Sequence, residues 1–269
     1  MPIYSYSRLN TFEQCALKFK FRYIDQIIPK IEKSIEAHLG GVVHSTLEWL
    51  YTQVKEGNIP NIENTIDFYS NKWQEEYKEE TLFIDKSLTP EHYFNKGVGF
   101  VVDYYTINQP FDDNTIEVEK KIIIEIGEHK IQGFVDRLSY NLETNEYEIH
   151  DYKTFGSLPP KEKLEKDRQL ALYCIAIKEE FGTEKEVKLV WHLLAFKQKF
   201  EIKKTNEQLE ELKKEILELI KKIENTKEFS ANKSPLCKWC EYLDICPAWN
   251  NQNNKDLDRY PTLKKYIKD

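Results

Sequence analysis

Two short runs of charged residues define the chemistry open to this chain. Asp136 sits in Gly133-Phe-Val-Asp136-Arg, and Asp151 and Lys153 are two residues apart in Asp151-Tyr-Lys153-Thr. Both runs lie in β-branched sequence, so period-two geometry puts Asp151 and Lys153 on one face of a strand. If the two strands pair as a hairpin, Asp136 reaches the same place. Hard oxygen ligands of this kind hold Mg²⁺ or Mn²⁺ against a phosphate oxygen, while an amine orients or deprotonates water or stabilises developing charge. The chemistry such a set supports is phosphodiester hydrolysis. An isolated Asp-x-Lys is ordinarily a surface ion pair, so the neighbouring residues decide. Gln169 and Tyr173, four apart, share a helix face that could line the cleft. His44, beside an apolar helical stripe, adds a borderline ligand suited to Mn²⁺, although a histidine so placed often only packs or caps.

The cysteines form a second constellation. Cys237-Lys-Trp-Cys240 is followed after five residues by Cys246-Pro247, and Cys15 lies more than two hundred residues upstream. Four thiolates suffice for a 4Fe-4S cluster, and a cysteine followed by proline recurs at the end of such ligand sets. A four-thiolate zinc site is the alternative, although it usually comes as two C-x-x-C pairs. Either would tie the N- and C-terminal segments together in a structural role. Cys174, in the apolar run Leu170-Ala-Leu-Tyr-Cys-Ile-Ala-Ile, reads as a small core residue.

The elements that must position these groups follow from periodicity. Ser7 is a candidate N-cap for a helix carrying Leu9, Phe12, Cys15, Ala16, Phe19 and Tyr23, and residues 35–51 form a second helix beside whose stripe His44 sits. Residues 60–108 are aromatic-rich and helical, broken at Pro60 and Pro90, and read as a helical insertion. Three antiparallel strands are expected over 115–126, 130–139 and 146–154, then a helix over 161–180, a strand over 186–196 and a charged helix over 206–227. That order predicts an α/β core in which a crossover helix follows a meander. A single domain spanning 1–269 is expected: an N-terminal helix with the first cysteine (1–34), a helical part with His44 (35–110), a catalytic α/β core (111–200), and a C-terminal helix with the three-cysteine segment (201–269).

Composition narrows the setting. The 40 % hydrophobic content supports a sizeable core, and a formal charge of −7 argues against nonspecific nucleic-acid binding by the molecule as a whole. Any basic surface must be local: Lys18, Lys20 and Arg22, Lys161 to Arg168, or Lys197 to Lys204, each of which also reads as a solvated face. Phe19, Phe21 and Tyr23, interleaved with the first of these runs, could stack bases or form the buried face of one helix. No apolar run suits a bilayer and the start lacks a secretion signal, so an intracellular, cytoplasmic protein without a membrane partner is expected.

The ordered series Gly41-Val-Val-His44, Gly133-Phe-Val-Asp136-Arg, Asp151-Tyr-Lys153-Thr and Gln169-Leu-Ala-Leu-Tyr173 resembles the motifs of RecB-type nucleases in the PD-(D/E)XK superfamily. The one-plus-three cysteine pattern resembles the iron-sulfur subgroup of that family, which includes AddB-like recombination nucleases and CRISPR adaptation nucleases. The resemblance implies a restriction-endonuclease-like core, a mixed sheet with flanking helices. It further implies a divalent metal held by His44, Asp136, Asp151 and the main-chain carbonyl of Tyr152, Lys153 serving the nucleophilic water, and Gln169 and Tyr173 in the active site. A 4Fe-4S cluster on Cys15, Cys237, Cys240 and Cys246 follows from the same likeness. DNA, as single strands or ends, would be the substrate, and a helicase or CRISPR adaptation proteins the partners. The other reading is a DNA-binding or assembly subunit with little cleavage of its own. The sequence departs from many relatives at Thr154-Phe155-Gly156, where they have glycine directly after the threonine, and at Ala16, where proline often follows the first cysteine.

Overall fold

The computed structural model describes residues 3–31 and 33–249; the end of the C-terminal segment, 250–269, lies outside the described residues. They fall into two compact units, one drawn from residues 3–6, 36–77 and 89–218, the other from 7–31, 33–35, 78–88 and 219–249.

The first unit is built on a six-stranded mixed sheet of β1 (Tyr4–Ser5), β2 (Thr115–Ile126), β3 (His129–Asn141), β4 (Glu146–Lys153), β5 (Val187–Leu193) and β6 (Gln198–Lys203). In β2, buried Ile122, Ile124 and Ile126 alternate with exposed Lys121, Ile123 and Glu125, the pattern of a strand with one packed face. β2, β3 and β4 form the expected antiparallel meander. β4 then pairs in parallel with β5, which needs a crossover. α6 (Lys161–Glu165) and α7 (Arg168–Phe181) supply it. Residues 170–178 of α7 are all buried, as a helix apolar on every side requires.

β3 has one partner along one edge and two along the other. Its pairing with β4 runs only from Asn141↔Glu146 to Arg137↔His150, and β1 takes up the same strand further back, at Ile131 and Gln132. β3 and β4 therefore part at Asp136 and Asp151.

α3 (Ile35–Lys55) is the expected helix over 35–51 extended by four residues, and α4 (Ile62–Glu76) and α5 (Pro90–Asn108) are the helices of the expected insertion. Asn61 and Thr89 cap α4 and α5, and Pro90 occupies the first turn of α5, where its missing N–H costs nothing. Gly97 lets these helices close: a Cβ there would lie 2.0 Å from the Tyr69 hydroxyl.

Several expectations are corrected. The helix over 161–180 is two, because Asp167 caps α7 through the Gln169 and Leu170 N–H groups. The strand over 186–196 ends at Leu193 in a 3₁₀ turn. The basic run Lys197 to Lys204 contains an edge strand, β6, in which Lys203 pairs with Glu146. Lysines on an edge also discourage pairing with other chains.

In the second unit the N-terminal helix is interrupted. α1 (Tyr6–Gln14) and α2 (Ala16–Phe19), with a π turn over Lys20–Ile24, are separated by Cys15 in extended conformation (φ −162°, ψ 111°). Cys15 thus sits at a break, not on a continuous helix. Phe19 is buried against Phe12 and Phe229, Phe21 meets Tyr242, and Lys18 pairs with Glu241 at 2.8 Å. The aromatic and basic residues of this stretch are packing and ion-pairing groups. α8 (Asn206–Asn225) matches the expected charged helix. Among the described residues no helix is long and apolar enough to cross a membrane.

Candidate functional site

Four elements of the first unit bring their polar groups to the place where β3 and β4 separate. His44 comes from α3, Asp136 from β3, Asp151, Tyr152 and Lys153 from β4, and Gln169 and Tyr173 from α7. His44 Nε2 lies 2.7 Å from the Tyr152 carbonyl oxygen, to which it donates, and its Nδ1 lies 3.3 Å from Asp136 Oδ2. The same Asp136 oxygen accepts from the Tyr152 N–H at 3.1 Å. The Lys153 ammonium donates to Asp151 Oδ1 at 2.9 Å and to Gln169 Oε1 at 3.4 Å, and the Gln169 amide donates to the Tyr173 hydroxyl at 3.3 Å. The contacts fall into two groups, His44 with Asp136 and the Tyr152 peptide, and Asp151 with Lys153, Gln169 and Tyr173, which meet because residues 151–153 are consecutive on β4.

Asp151 is 3 % exposed. Its Oδ2 lies 2.7 Å from the Lys153 ammonium but lacks hydrogen-bond geometry, and no other donor reaches it. The desolvation penalty of this buried carboxylate is offset in part by the Lys153 ammonium paired with it. The donor set of carboxylates, a carbonyl and an imidazole suits Mg²⁺ or Mn²⁺. Among the described residues no three His, Cys, Asp or Glu side chains are gathered closely enough to grip an ion as they stand. The carboxylates here are engaged by Lys153 and the Tyr152 N–H.

Burial raises the Asp151 carboxyl, Lys153 opposes that, and Asp136 adds to it. At Lys153 burial works against the charge, but Asp151 outweighs it and holds the ammonium above its ordinary range. The lysine therefore stays a cationic donor.

Behind the site, Arg137 is buried and its Nε donates to the Tyr152 hydroxyl at 2.9 Å, while its guanidinium lies 4.0 Å over Tyr51 and pairs with Asp113. Tyr152 is thereby held at both ends: its ring by Arg137, its peptide by His44 and Asp136. Gly133 admits Tyr173, whose ring would lie 2.4 Å from a Cβ at that position.

Glu119 was not anticipated. The β2–β3 ladder runs through Val118↔Arg137 and Lys120↔Val135 but skips the intervening step, and Glu119 has φ +47°. Burial, Asp136 and Glu48 push its carboxyl up to about 7, and His44 opposes them. Glu119 therefore faces the same site. Its only sequence signal was a polar position opposite the Asp136 run, which any half-buried strand would show.

In the second unit, Cys15, Cys237, Cys240 and Cys246 all line one cavity of about 220 Å³, with Leu17, Phe21 and Trp249 among its walls. All four are free thiols. The Cys15 sulfur accepts from the Asn232 N–H and the Cys237 sulfur from the Ser234 N–H, each at 3.4 Å. Burial pushes Cys240 up to about 11 and raises Cys246. Cys174 is buried in α7 as expected.

A family model described as the PD-(D/E)XK nuclease superfamily matches residues 3–247. A crystal structure of a candidate exonuclease from Eubacterium rectale superposes with a TM-score of 0.56 at 14 % identity, covering 96 % of this chain and 92 % of that one. The structure of SSO0001 shares 19 % identity over 61 % of this chain and 76 % of its own, with a TM-score of 0.37. No curated protein matches the chain.

Proposed function

This chain belongs to the PD-(D/E)XK nuclease superfamily, and we propose that it is a Mg²⁺- or Mn²⁺-dependent deoxyribonuclease acting on single strands or ends, with a structural 4Fe-4S cluster. The observation that carries the reading is the convergence on the end of β4 of two contact groups from separate elements, His44 and Asp136 at the Tyr152 peptide and Gln169 and Tyr173 at the Asp151–Lys153 pair.

His44, Asp136, Asp151 and the Tyr152 carbonyl would hold the ion, which supplies Lewis-acid polarisation of a phosphate oxygen and acidification of water. Lys153, kept protonated by Asp151, donates to the attacking water or to a nonbridging oxygen as charge develops there. Gln169 fixes the lysine through its carbonyl and Tyr173 through its amide. The Tyr173 oxygen accepts from that amide, so its own proton can serve a substrate oxygen. Arg137 keeps the Tyr152 side chain in place. For the cluster, the support is four thiols spread around one cavity. A single tetrahedral zinc would draw four sulfurs to about 2.3 Å from one centre.

The test is cleavage of end-labelled single-stranded and duplex DNA by anaerobically purified protein with Mn²⁺. Wild type should cleave, and Lys153→Ala should be slower by about a hundredfold or more. Equal and negligible cleavage by both would favour a module that only presents DNA.

A further inference from the structure

Of the fourteen phenylalanines in the chain, only Phe134 and Phe155 are exposed, at 47 % and 40 %. Single exposed apolar residues are common and call for no explanation. These two stand apart because of where they are. Phe134 lies two residues before Asp136 on β3, and Phe155 lies two residues after Lys153, just past the end of β4. Among the described residues neither ring stacks on another aromatic ring. The main chain at Phe134 touches the Tyr173 hydroxyl. Across the β2–β3 ladder Phe134 pairs with exposed Lys121, and Ile123, two residues further along β2, is 52 % exposed. Phe134 and Lys121 thus leave paired positions on one face of the β2–β3 ladder, two residues from Asp136.

Resting on the nuclease reading, we propose that Phe134 and Phe155 are a base-stacking platform that selects single-stranded DNA at this active site, with Lys121 meeting a phosphate. The charge of the molecule favours this solution. The site itself carries Asp136, Asp151, Glu119 and Glu48, and the chain has a formal charge of −7, so long-range attraction for phosphates is weak. Stacking on aromatic rings draws on the π-faces of bases and needs no positive field. In a duplex those faces are covered by neighbouring base pairs; only unpaired bases offer them. The substrate class is therefore set by two rings and not by a broad basic surface.

The experiment measures binding of single-stranded and blunt duplex oligonucleotides carrying 2-aminopurine, with Ca²⁺ in place of Mn²⁺, by full-length wild type, Phe134→Ala, Phe155→Ala and the corresponding tryptophan variants. Each alanine variant should weaken single-strand binding by about fivefold or more and lose fluorescence quenching. The tryptophan variants should retain both. The slope of log affinity against log salt should stay as in wild type, because no phosphate contact is removed. Thermal melts of the alanine variants should match wild type, since both rings are exposed. Unchanged affinity and quenching in both alanine variants would overturn the platform, and so would equal weakening for duplex and single strand. Failure of wild type to cleave with Mn²⁺ would instead overturn the nuclease reading, while quenching still decides the stacking.

Discussion

At Gly133 the absence of a side chain is what the site uses. A Cβ there would lie 2.4 Å from Tyr173 Cε1, inside any tolerable contact, and the obstacle is a ring whose hydroxyl is tied to Gln169 and thence to Lys153. Gly133→Ala should therefore push Tyr173 off its position and slow cleavage by roughly ten- to a hundredfold, the scale at which a misplacement of about 1 Å acts. Calorimetric Mn²⁺ affinity should change little, because no expected ligand is touched; full cleavage by the variant would show that Tyr173 has no positional role. This scale is where the sequence was most readable. Asp136, Asp151, Lys153, Gln169, Tyr173 and His44 announce themselves because chemistry demands those residue types at short fixed spacings. Glu119 does not: Val118-Glu119-Lys120 reads as plain strand alternation. Its role in the site comes from a left-handed φ and a skipped ladder step, which are products of pairing with β3.

Between elements, β4 and β5 are stitched by two buried histidines. Ser139 Oγ lies 2.8 Å from His150 Nε2, and His150 Nδ1 lies 3.0 Å from His192 Nε2. Burial, then Arg137, holds both imidazoles well below their ordinary range, so both are neutral in the folded protein. Above an unfolded value of about 6.5 neither state is charged and their contribution is complete. As pH falls below it the unfolded chain takes protons that the folded one refuses, and stability drops with a limiting slope of about 2.7 kcal/mol per pH unit for two protons. Glu119, raised to about 7, takes up a proton in the folded state over the same range and opposes the trend. The informative quantity is thus the difference in urea-unfolding free energy between wild type and His192→Phe, which should shrink from pH 6.5 to 5; a constant difference would show that His192 does not titrate on unfolding. The strands that carry these groups were legible from their β-branched alternation. β6 was not, because its apolar face is only Phe200 and Ile202, half-buried between charged neighbours in a short edge strand. The break at Cys15 was hidden by an apolar spacing that continues across it from Phe12 to Phe19.

On the scale of the whole chain, the thiol-lined cavity makes the strongest claim, since Cys15 and Cys237 are more than two hundred residues apart yet line the same space in the second unit. A group bound to all four thiolates would close that loop in folded and unfolded chain alike. The loop-entropy estimate for such a closure is about 5 kcal/mol, comparable with the total stability of many domains. Because burial keeps Cys240 and Cys246 protonated as bare thiols, assembly must release protons and should weaken as pH falls. Cys240→Ala should accordingly lose iron and visible absorption and melt at markedly lower temperature. Cys174→Ala, altering a buried residue of α7 away from the cavity, should lose some packing energy and keep its colour. Iron and absorption retained in Cys240→Ala would refute the ligand assignment. Colourless wild-type protein carrying one zinc per chain would keep the four-thiol site and replace the cluster. Either metal leaves the loop-closure argument intact, so the stability difference between the two cysteine variants should survive the change of occupant.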